Sequence, residues 1–392
     1  MARIIKATSL LFFITLICAL VNAATASDQT TASQSSGSTT RTRRSVTQEN
    51  DNWNWIHKDD SVSLEVNIRG KVEFTDDYSD IKGINDDNGR IRIVDERGGM
   101  VRKFEATVTS DGLKRSYWVN GESRPFDGEA RSWLAKVLND TVRQGGYDAR
   151  PRVQRILRER GPSGVLQEIS QLKSDYVKRI YFDELIGGGN LDDETVRQTL
   201  RQANNEIKSD YEKAQLLIKM SENYLNNDSQ RAIYLEGVNT ISSDYEKGRT
   251  LAALLKKGDL GKESLFFLLK SAASISSDYE TAQLLIKVAE RFSFDDSARG
   301  AYMEAVATIN SDYEKGRVLS AFLKKADNRK DALMFALKSA STISSDYEKA
   351  QLLIKVAQAG SGDEAVRTAL IDTARSIKSE YERGRVLNAV FK

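Results

Sequence analysis

The sequence has very few of the residues on which disulfide and histidine-dependent chemistry relies. Its 392 residues include one cysteine, one histidine and three prolines. A single cysteine, Cys18, excludes an intramolecular disulfide framework. The one histidine, His57, lies near a predicted linker and is a poor candidate for a zinc site or a Ser-His-Asp triad. Proline does not occur after Pro162, so helices can run through the rest of the chain without that interruption.

Excess charge of one sign is also absent. The formal net charge is +2, and charged residues make up 29% of the chain. Two of the positive charges, Arg3 and Lys6, lie in a segment that we expect to be removed. A nearly neutral chain gives no electrostatic reason to expect binding to nucleic acid or to an anionic membrane surface.

Residues 1–26 have the pattern of a signal peptide. Arg3 and Lys6 precede an apolar run from Ala7 to Val21, and Ala24-Thr25-Ala26 is a small-x-small cleavage site. The apolar run is shorter than the ~20 residues that a membrane span needs. We therefore expect cleavage, a periplasmic or extracellular location and no stable membrane span afterwards, with retention as an anchor as the alternative.

The next two segments differ in composition and periodicity. Residues 27–52 are rich in Ser, Thr and Gln, which predicts a disordered linker. Residues 53–126 predict a small antiparallel β module, because glycine-containing turns separate alternating apolar positions. The alternating residues are Val62, Leu64, Val66, Ile68, Val72 and Phe74, with Ile91 and Ile93 in a second strand. The turns are Gly98-Gly99, Asp111-Gly112 and Asn120-Gly121. Residues 127–173 predict a helical connector.

Residues 174–392 consist of repeats. A Ser-Asp-Tyr or Ser-Glu-Tyr phrase begins at Ser174, Ser209, Ser243, Ser277, Ser311, Ser345 and Ser379, spaced by 35 and then by 34 residues. In six of the seven phrases a glutamate follows the serine by three positions. This is the capping box, in which the serine and the glutamate each bond one backbone amide at a helix N-terminus. The acid between them lies in the first turn, where the helix dipole favours negative charge.

Each repeat has apolar positions for two helices, so the period predicts a right-handed α-solenoid of helical hairpins with HEAT- or TPR-like stacking. A longer period of 68 residues is superimposed, because Ala-Gln-Leu-Leu-Ile-Lys recurs at Ala214, Ala282 and Ala350. The Trp, Leu-Gly and terminal Pro of tetratricopeptide repeats are missing.

Several phrases together resemble a group of bacterial exported proteins. They are Gly70-Lys-Val-Glu-Phe-Thr-Asp-Asp77, Tyr117-Trp-Val-Asn-Gly-Glu122, Pro125-Phe-Asp-Gly-Glu-Ala-Arg-Ser-Trp-Leu134 and the Ser-Asp-Tyr repeats. Similar modules form the extracytoplasmic part of membrane metallopeptidases of the β-lactam-sensor type. The resemblance covers about residues 53–392 and implies an exported protein without a specified activity. The peptidase half is missing, because the sequence has no His-Glu-x-x-His motif.

Two recurring side chains are candidates for partner binding. One is the tyrosine of every phrase, for which packing between hairpins is the favoured interpretation and an exposed interface the alternative. The other is an arginine that follows a glycine in every second repeat, where close backbone packing is the expected reason for the glycine. This arginine either pairs with a nearby acid or faces a ligand. The predicted partner-binding residues are Arg249, Arg317 and Arg385, with Tyr245, Tyr313 and Tyr381.

We expect no enzyme activity, no cofactor and no metal. Gly187-Gly188-Gly189 lacks the lysine and serine of a phosphate-binding loop. Acids in the β module fit turns better than a catalytic or calcium site; they are Asp76, Asp77, Asp80, Asp86 and Asp87. The sequence thus predicts a non-catalytic exported scaffold that binds protein or peptide, in envelope sensing or assembly. The alternative is an extracytoplasmic enzyme with a carboxylate-based site in the β-rich part. The oligomeric state is not predicted.

Overall fold

A computed structural model describes residues 27–391 except 36–37, 50–51, 87, 189–190, 259, 293 and 326–328. The predicted signal peptide lies outside the described residues. The chain divides into two compact units between Tyr147 and Asp148. The prediction of a mainly α fold, with helical repeats after a small antiparallel β module, is confirmed.

The first unit contains an eight-stranded antiparallel sheet and a separate β-hairpin. The sheet has the strand order β1-β2-β3-β4-β7-β8-β9-β10, and β5 pairs with β6. The strands are β1 Ser27–Ser35, β2 Ser38–Glu49, β3 Asn52–Lys58, β4 Val62–Arg69, β5 Val72–Phe74, β6 Ile81–Ile84, β7 Arg90–Arg97, β8 Met100–Thr109, β9 Gly112–Val119 and β10 Glu122–Arg124.

Alternation along the strands places one face of the sheet in the core. Leu64, Val66 and Ile68 of β4 are all buried, as the period of two requires. The predicted run from Val62 to Phe74 is divided at Gly70, whose φ of 74° lies in the left-handed region. Each of the three predicted glycine turns also contains a positive φ, so the turn predictions are confirmed.

The structure differs from the disordered linker predicted for residues 27–52. Strands β1 and β2 pair with each other, and β2 pairs with β3. Val46 of β2 packs against the core formed by the other strands. Threonine-rich polar strands can extend a sheet through backbone hydrogen bonds, so they need little apolar burial of their own.

The predicted connector at 127–173 contains two helices that belong to different units. Helix α1, Gly128–Gly145, buries Leu134, Val137 and Leu138 in the core of the sheet. It ends where Gly145 meets the indole rings of Trp53 and Trp55; an added Cβ would lie 2.9 Å from either ring. The first unit is therefore a helix packed on a sheet, and helix α2 belongs to the repeat unit.

The second unit is built from α2 and the helices of the repeats. They are α2 Ala149–Ile169, α3 Asp175–Gly187, α4 Asp193–Glu206, α5 Asp210–Asn223, α6 Asp228–Asn239, α7 Asp244–Lys256, α8 Lys262–Ala272, α9 Asp278–Arg291, α10 Asp296–Thr308, α11 Asp312–Lys325, α12 Lys330–Ala340, α13 Asp346–Gly360, α14 Glu364–Ala374 and α15 Glu380–Val390. A kink at Gly161 interrupts α2.

The repeat helices form two layers. Odd-numbered helices from α3 to α15 each pack against the next odd-numbered helix, and even-numbered helices do the same. One apolar core runs through all the repeats, because every hairpin buries its apolar face against its neighbours. None of the helices in the described ranges combines the length and apolar character needed to cross a bilayer. The right-handed sense of the solenoid stays a prediction.

Candidate interaction surface

The serine of each phrase lies at the N-terminus of an odd-numbered helix, as predicted. In six repeats the serine Oγ accepts a hydrogen bond from the backbone N–H three residues later, at 3.3–3.4 Å. These serines are Ser209, Ser243, Ser277, Ser311, Ser345 and Ser379. Ser174 is also an N-cap but makes no such bond. The register of the repeats is therefore correct.

The acid that follows each serine has a role that the sequence did not predict. The carboxylate of Asp278, for example, accepts hydrogen bonds from the backbone N–H groups of Asn310 and Ser311, at 2.9 and 2.7 Å. These amides begin the phrase of the following repeat. We call this arrangement the aspartate clamp. Its carboxylates belong to Asp175, Asp210, Asp244, Asp278, Asp312 and Asp346. Consecutive N-termini are thereby held side by side.

The clamp explains why the glutamate of the predicted capping box has a different partner in the structure. In five clamps the N–H of the capping serine, which we expected to donate to the glutamate, instead donates to the aspartate of the preceding repeat. In every second repeat the glutamate instead pairs with the arginine one turn later in the same helix. The Glu246–Arg249 distance is 2.7 Å, and the equivalent pairs Glu314–Arg317 and Glu382–Arg385 have the same length.

The glycines before two of these arginines, Gly248 and Gly316, leave room for a side chain of the next repeat, whereas the site at Gly384 is open. An added Cβ at Gly248 would lie 3.1 Å from the Glu280 Oε2 atom. At Gly316 the corresponding distance to Glu348 Oε2 is 3.3 Å. The expected close approach of a helix backbone was therefore wrong, because at both positions the neighbour is a glutamate side chain.

Six of the recurring tyrosines are exposed. Their exposed fractions range from 53% to 75%. We call these residues the tyrosine ladder: Tyr211, Tyr245, Tyr279, Tyr313, Tyr347 and Tyr381. The favoured interpretation, in which each ring packs between hairpins, was therefore wrong for these six. Only Tyr176 packs partly against the core, where burial raises the pKa of its hydroxyl.

The structure brings each predicted arginine together with the predicted tyrosine of its repeat. The guanidinium carbon of Arg249 lies 5.4 Å from the centre of the Tyr245 ring, within the range of a cation–π interaction. The same contact joins Arg317 to Tyr313 at 5.8 Å, and it recurs between Arg385 and Tyr381 at 6.0 Å. The arginine side chains are 31–33% exposed. They are thus paired to an acid of their own helix and still accessible from one side.

Three members of the ladder are candidates in the sequence but lie outside the predicted set of partner-binding residues. Tyr211, Tyr279 and Tyr347 occupy the same position as the predicted tyrosines and are exposed to a similar degree. They were left out because glutamine replaces the arginine four residues later in their repeats. Their place at the second residue of the helix was the available signal.

Buried lysines anchor the helices that carry the ladder. The Nζ of Lys213 donates to the Thr240 hydroxyl at 2.6 Å, and burial lowers the pKa of this lysine. Three further lysines, Lys247, Lys315 and Lys349, bond a hydroxyl 27 residues later in the same way. Each bond joins the start of an odd-numbered helix to the loop that ends its hairpin.

The acids of the β unit form turns, in agreement with the favoured interpretation. Hydrogen bonds from the Thr75 and Ser79 hydroxyls to Asp77 lower the pKa of its carboxyl to about 2. Asp80 pairs with Arg115 and accepts the Ile81 N–H. Asp86 accepts the N–H of Asn88. Asp87 lies outside the described residues.

Two other polar groups of the β unit are bonded internally. The carboxylate of Asp95 is buried and accepts hydrogen bonds from the Trp133 indole at 2.8 Å and from Arg97 at 2.7 Å. His57 lies 3.4 Å from Asp59 and stacks on Trp55. Within the described ranges no group of three or more His, Cys, Asp or Glu side chains has an arrangement that could hold a metal ion.

Fold and surface together define a helical-repeat protein with an exposed series of tyrosines. No protein-family model, curated protein or solved structure matches the chain.

Proposed function

We propose that this chain is a non-catalytic exported scaffold that binds a protein or peptide partner through the tyrosine ladder. The observation that carries the proposal is the exposure of six equivalent tyrosines on consecutive helices. Export is proposed from the pattern of residues 1–26 and from the resemblance to exported bacterial proteins. Envelope sensing or assembly is the corresponding setting.

Tyrosine suits such a surface for physical reasons. Its ring offers a large rigid apolar area, and its hydroxyl can donate or accept a hydrogen bond. Tyrosine and arginine are also enriched among the residues that contribute most to binding at interfaces. A regular series of exposed aromatic rings marks a candidate interaction site.

The backbone that carries the ladder is fixed before any partner arrives. The aspartate clamp ties each helix N-terminus to the next, and buried lysines tie four of these helices to the ends of their own hairpins. A partner therefore meets rings whose backbone positions are already set. Binding then loses less conformational entropy than it would on a flexible loop.

The bonding of acids in the β unit supports a scaffold over the alternative enzyme. A carboxylate-based hydrolase needs two carboxylates that converge on a substrate, one of which can hold a proton near neutral pH. Asp77 and Asp80 instead accept donors from their own turn, and Asp95 accepts the Trp133 indole N–H of α1. The lowered pKa of Asp77 is the opposite of what a general acid requires.

Affinity capture from envelope extract tests the proposal. Tagged protein is compared with Arg317→Glu and Tyr313→Ala, and we expect both variants to lose the captured partner while keeping the wild-type circular dichroism spectrum. Lys287→Glu is the matched control, because it makes the same charge change at an exposed position further along α9. Unchanged capture by both ladder variants would remove the ladder as the binding site and direct attention to the β unit.

A further inference from the structure

The spacing and chemistry of the tyrosine ladder indicate the form of peptide that it binds. We infer that the ladder recognises a proline-rich segment in the polyproline II conformation, lying across consecutive odd-numbered helices. This inference rests on the proposed function and adds to it a class of partner. It follows from two independent properties of the surface, its period and its excess of hydrogen-bond donors.

The distance between consecutive ladder tyrosines follows from the packing of the repeats. Each ladder tyrosine is the second residue of its helix, and the aspartate clamps place consecutive N-termini side by side. Packed helices are separated by about 8–10 Å, so consecutive tyrosines recur at about that distance. A polyproline II helix advances about 3.1 Å per residue and has three residues per turn, which gives a repeat of ~9 Å. One turn of such a peptide therefore matches one repeat of the ladder.

The hydrogen-bond donors beside the ladder belong to the residue one helical turn after each tyrosine. That residue is arginine or glutamine in all six repeats: Gln215, Arg249, Gln283, Arg317, Gln351 and Arg385. Arginine carries only N–H donors, and glutamine carries two N–H donors beside one carbonyl acceptor. The Glu246 pair uses the Nη1 of Arg249, and a guanidinium carries five N–H donors. Every repeat thus presents an aromatic ring with a hydrogen-bond donor beside it.

Several of the acceptors nearby are occupied. The aspartate of each clamp accepts backbone amides of the next repeat, and the glutamate of every second repeat accepts from arginine. A surface of rings and donors suits a partner that is rich in acceptors and poor in donors. A proline-rich segment has this property, because proline keeps its carbonyl and lacks the backbone N–H. Its carbonyl groups also have no partner within the polyproline II helix.

A sugar chain is the main alternative occupant, since sugar rings also stack on aromatic side chains. Sugar hydroxyls donate as well as accept hydrogen bonds, however, and need free carboxylates or carbonyl groups as acceptors. The clamp and the Glu–Arg pairs remove many of those acceptors from the ladder. Aromatic-lined surfaces are a general means of binding polyproline II segments, which lose little entropy because they are already extended.

Fluorescence anisotropy with labelled oligoproline tests the inference. A peptide of about 18 residues spans six turns and one of about 9 residues spans three. We expect the longer peptide to bind more tightly to the full-length protein, and a Gly-Ser peptide of equal length not to bind. Tyr279→Ala and Tyr313→Ala are each expected to weaken binding about tenfold. Lys287→Ala, an exposed position further along α9, is the control and is expected to change nothing.

Other outcomes overturn the inference in distinguishable ways. If oligoproline does not bind but Tyr313→Ala still abolishes capture of a protein partner, the scaffold function stands. The inferred polyproline II conformation of the partner is then wrong. If oligoproline binds equally to both tyrosine variants, the peptide lies elsewhere. If a chito-oligosaccharide binds in a tyrosine-dependent way and oligoproline does not, the occupant is a glycan, and the proposed protein-binding function falls as well.

Discussion

Replacement of Asp278 by alanine tests the aspartate clamp directly. The carboxylate of Asp278 accepts two backbone N–H groups of the following repeat, at 2.9 and 2.7 Å. Alanine removes both hydrogen bonds and leaves the amides of Asn310 and Ser311 to water. The side chain is at the helix surface, so no cavity in the core accompanies the change.

The size of the effect follows from the bonds that are lost. A hydrogen bond to a charged group contributes about 1.5–3 kcal/mol, but water can replace the acceptor at the exposed Asn310 amide. We therefore expect Asp278→Ala to lose ~2 kcal/mol of local stability, mainly at Ser311. Asp278→Asn keeps a neutral acceptor and is expected to lose about half as much.

Hydrogen exchange measured by NMR resolves this loss at single amides. A loss of ~2 kcal/mol accelerates exchange of the Ser311 amide about 30-fold under conditions where exchange follows local opening. Glu380→Ala is the matched control, because Glu380 has the same helix position and no described backbone amide donates to it. That variant loses only the interaction with the helix dipole, about 0.3–1 kcal/mol. Equal effects of the two substitutions would show that the clamp adds nothing to the dipole.

Three further changes test other parts of the structure. The N–H of Ser379 lowers the pKa of the Asp346 carboxyl, so this clamp is fully formed above the unfolded pKa of about 4 and is lost as the pH falls through the lower folded value; an Asp346 titration by NMR with a normal midpoint would contradict this. Gly384→Ala is expected to raise stability by about 1 kcal/mol, because alanine favours the helix and the site is open. Gly316→Ala is expected to gain less because of its close carboxylate, and thermal melts compare the two. Ser277→Ala is expected to lose about 1 kcal/mol through its cap, and a denaturation midpoint equal to wild type would exclude this role.

The helical repeats were predictable because their signals are local. A serine followed by glutamate three residues later marks a helix start, whatever that helix packs against. The six caps of this kind are accordingly in register with the structure. The strands of the β unit were predictable for the same reason, since alternation and glycine turns depend on neighbouring residues.

The clamp and the exposure of the ladder were not predictable in this way. The amides that Asp278 accepts are 32 and 33 residues further along the chain, and only the packing of one hairpin on the next brings them into reach. The exposure of Tyr279 depends likewise on how neighbouring hairpins pack, which the sequence of one repeat does not show. The packing of α1 on the sheet was not predictable for the same reason. The sequence shows the apolar face of α1, but it does not show the strands against which that face packs.

The aspartate clamp also gives the array a direction and makes its repeats interchangeable. In five of the six clamps the carboxylate of one phrase holds two amides of the next, so a repeat can follow any other of the correct type. Removal of residues 244–311 would join Ser243 to Asp312 and restore the sequence Ser-Asp-Tyr-Glu without a change in register. Asp210 would still hold the amides of Ser242 and Ser243, now at the start of α11. A gene encoding such a chain can lengthen or shorten its product by 68 residues at a time, and with it the number of tyrosines that the surface presents.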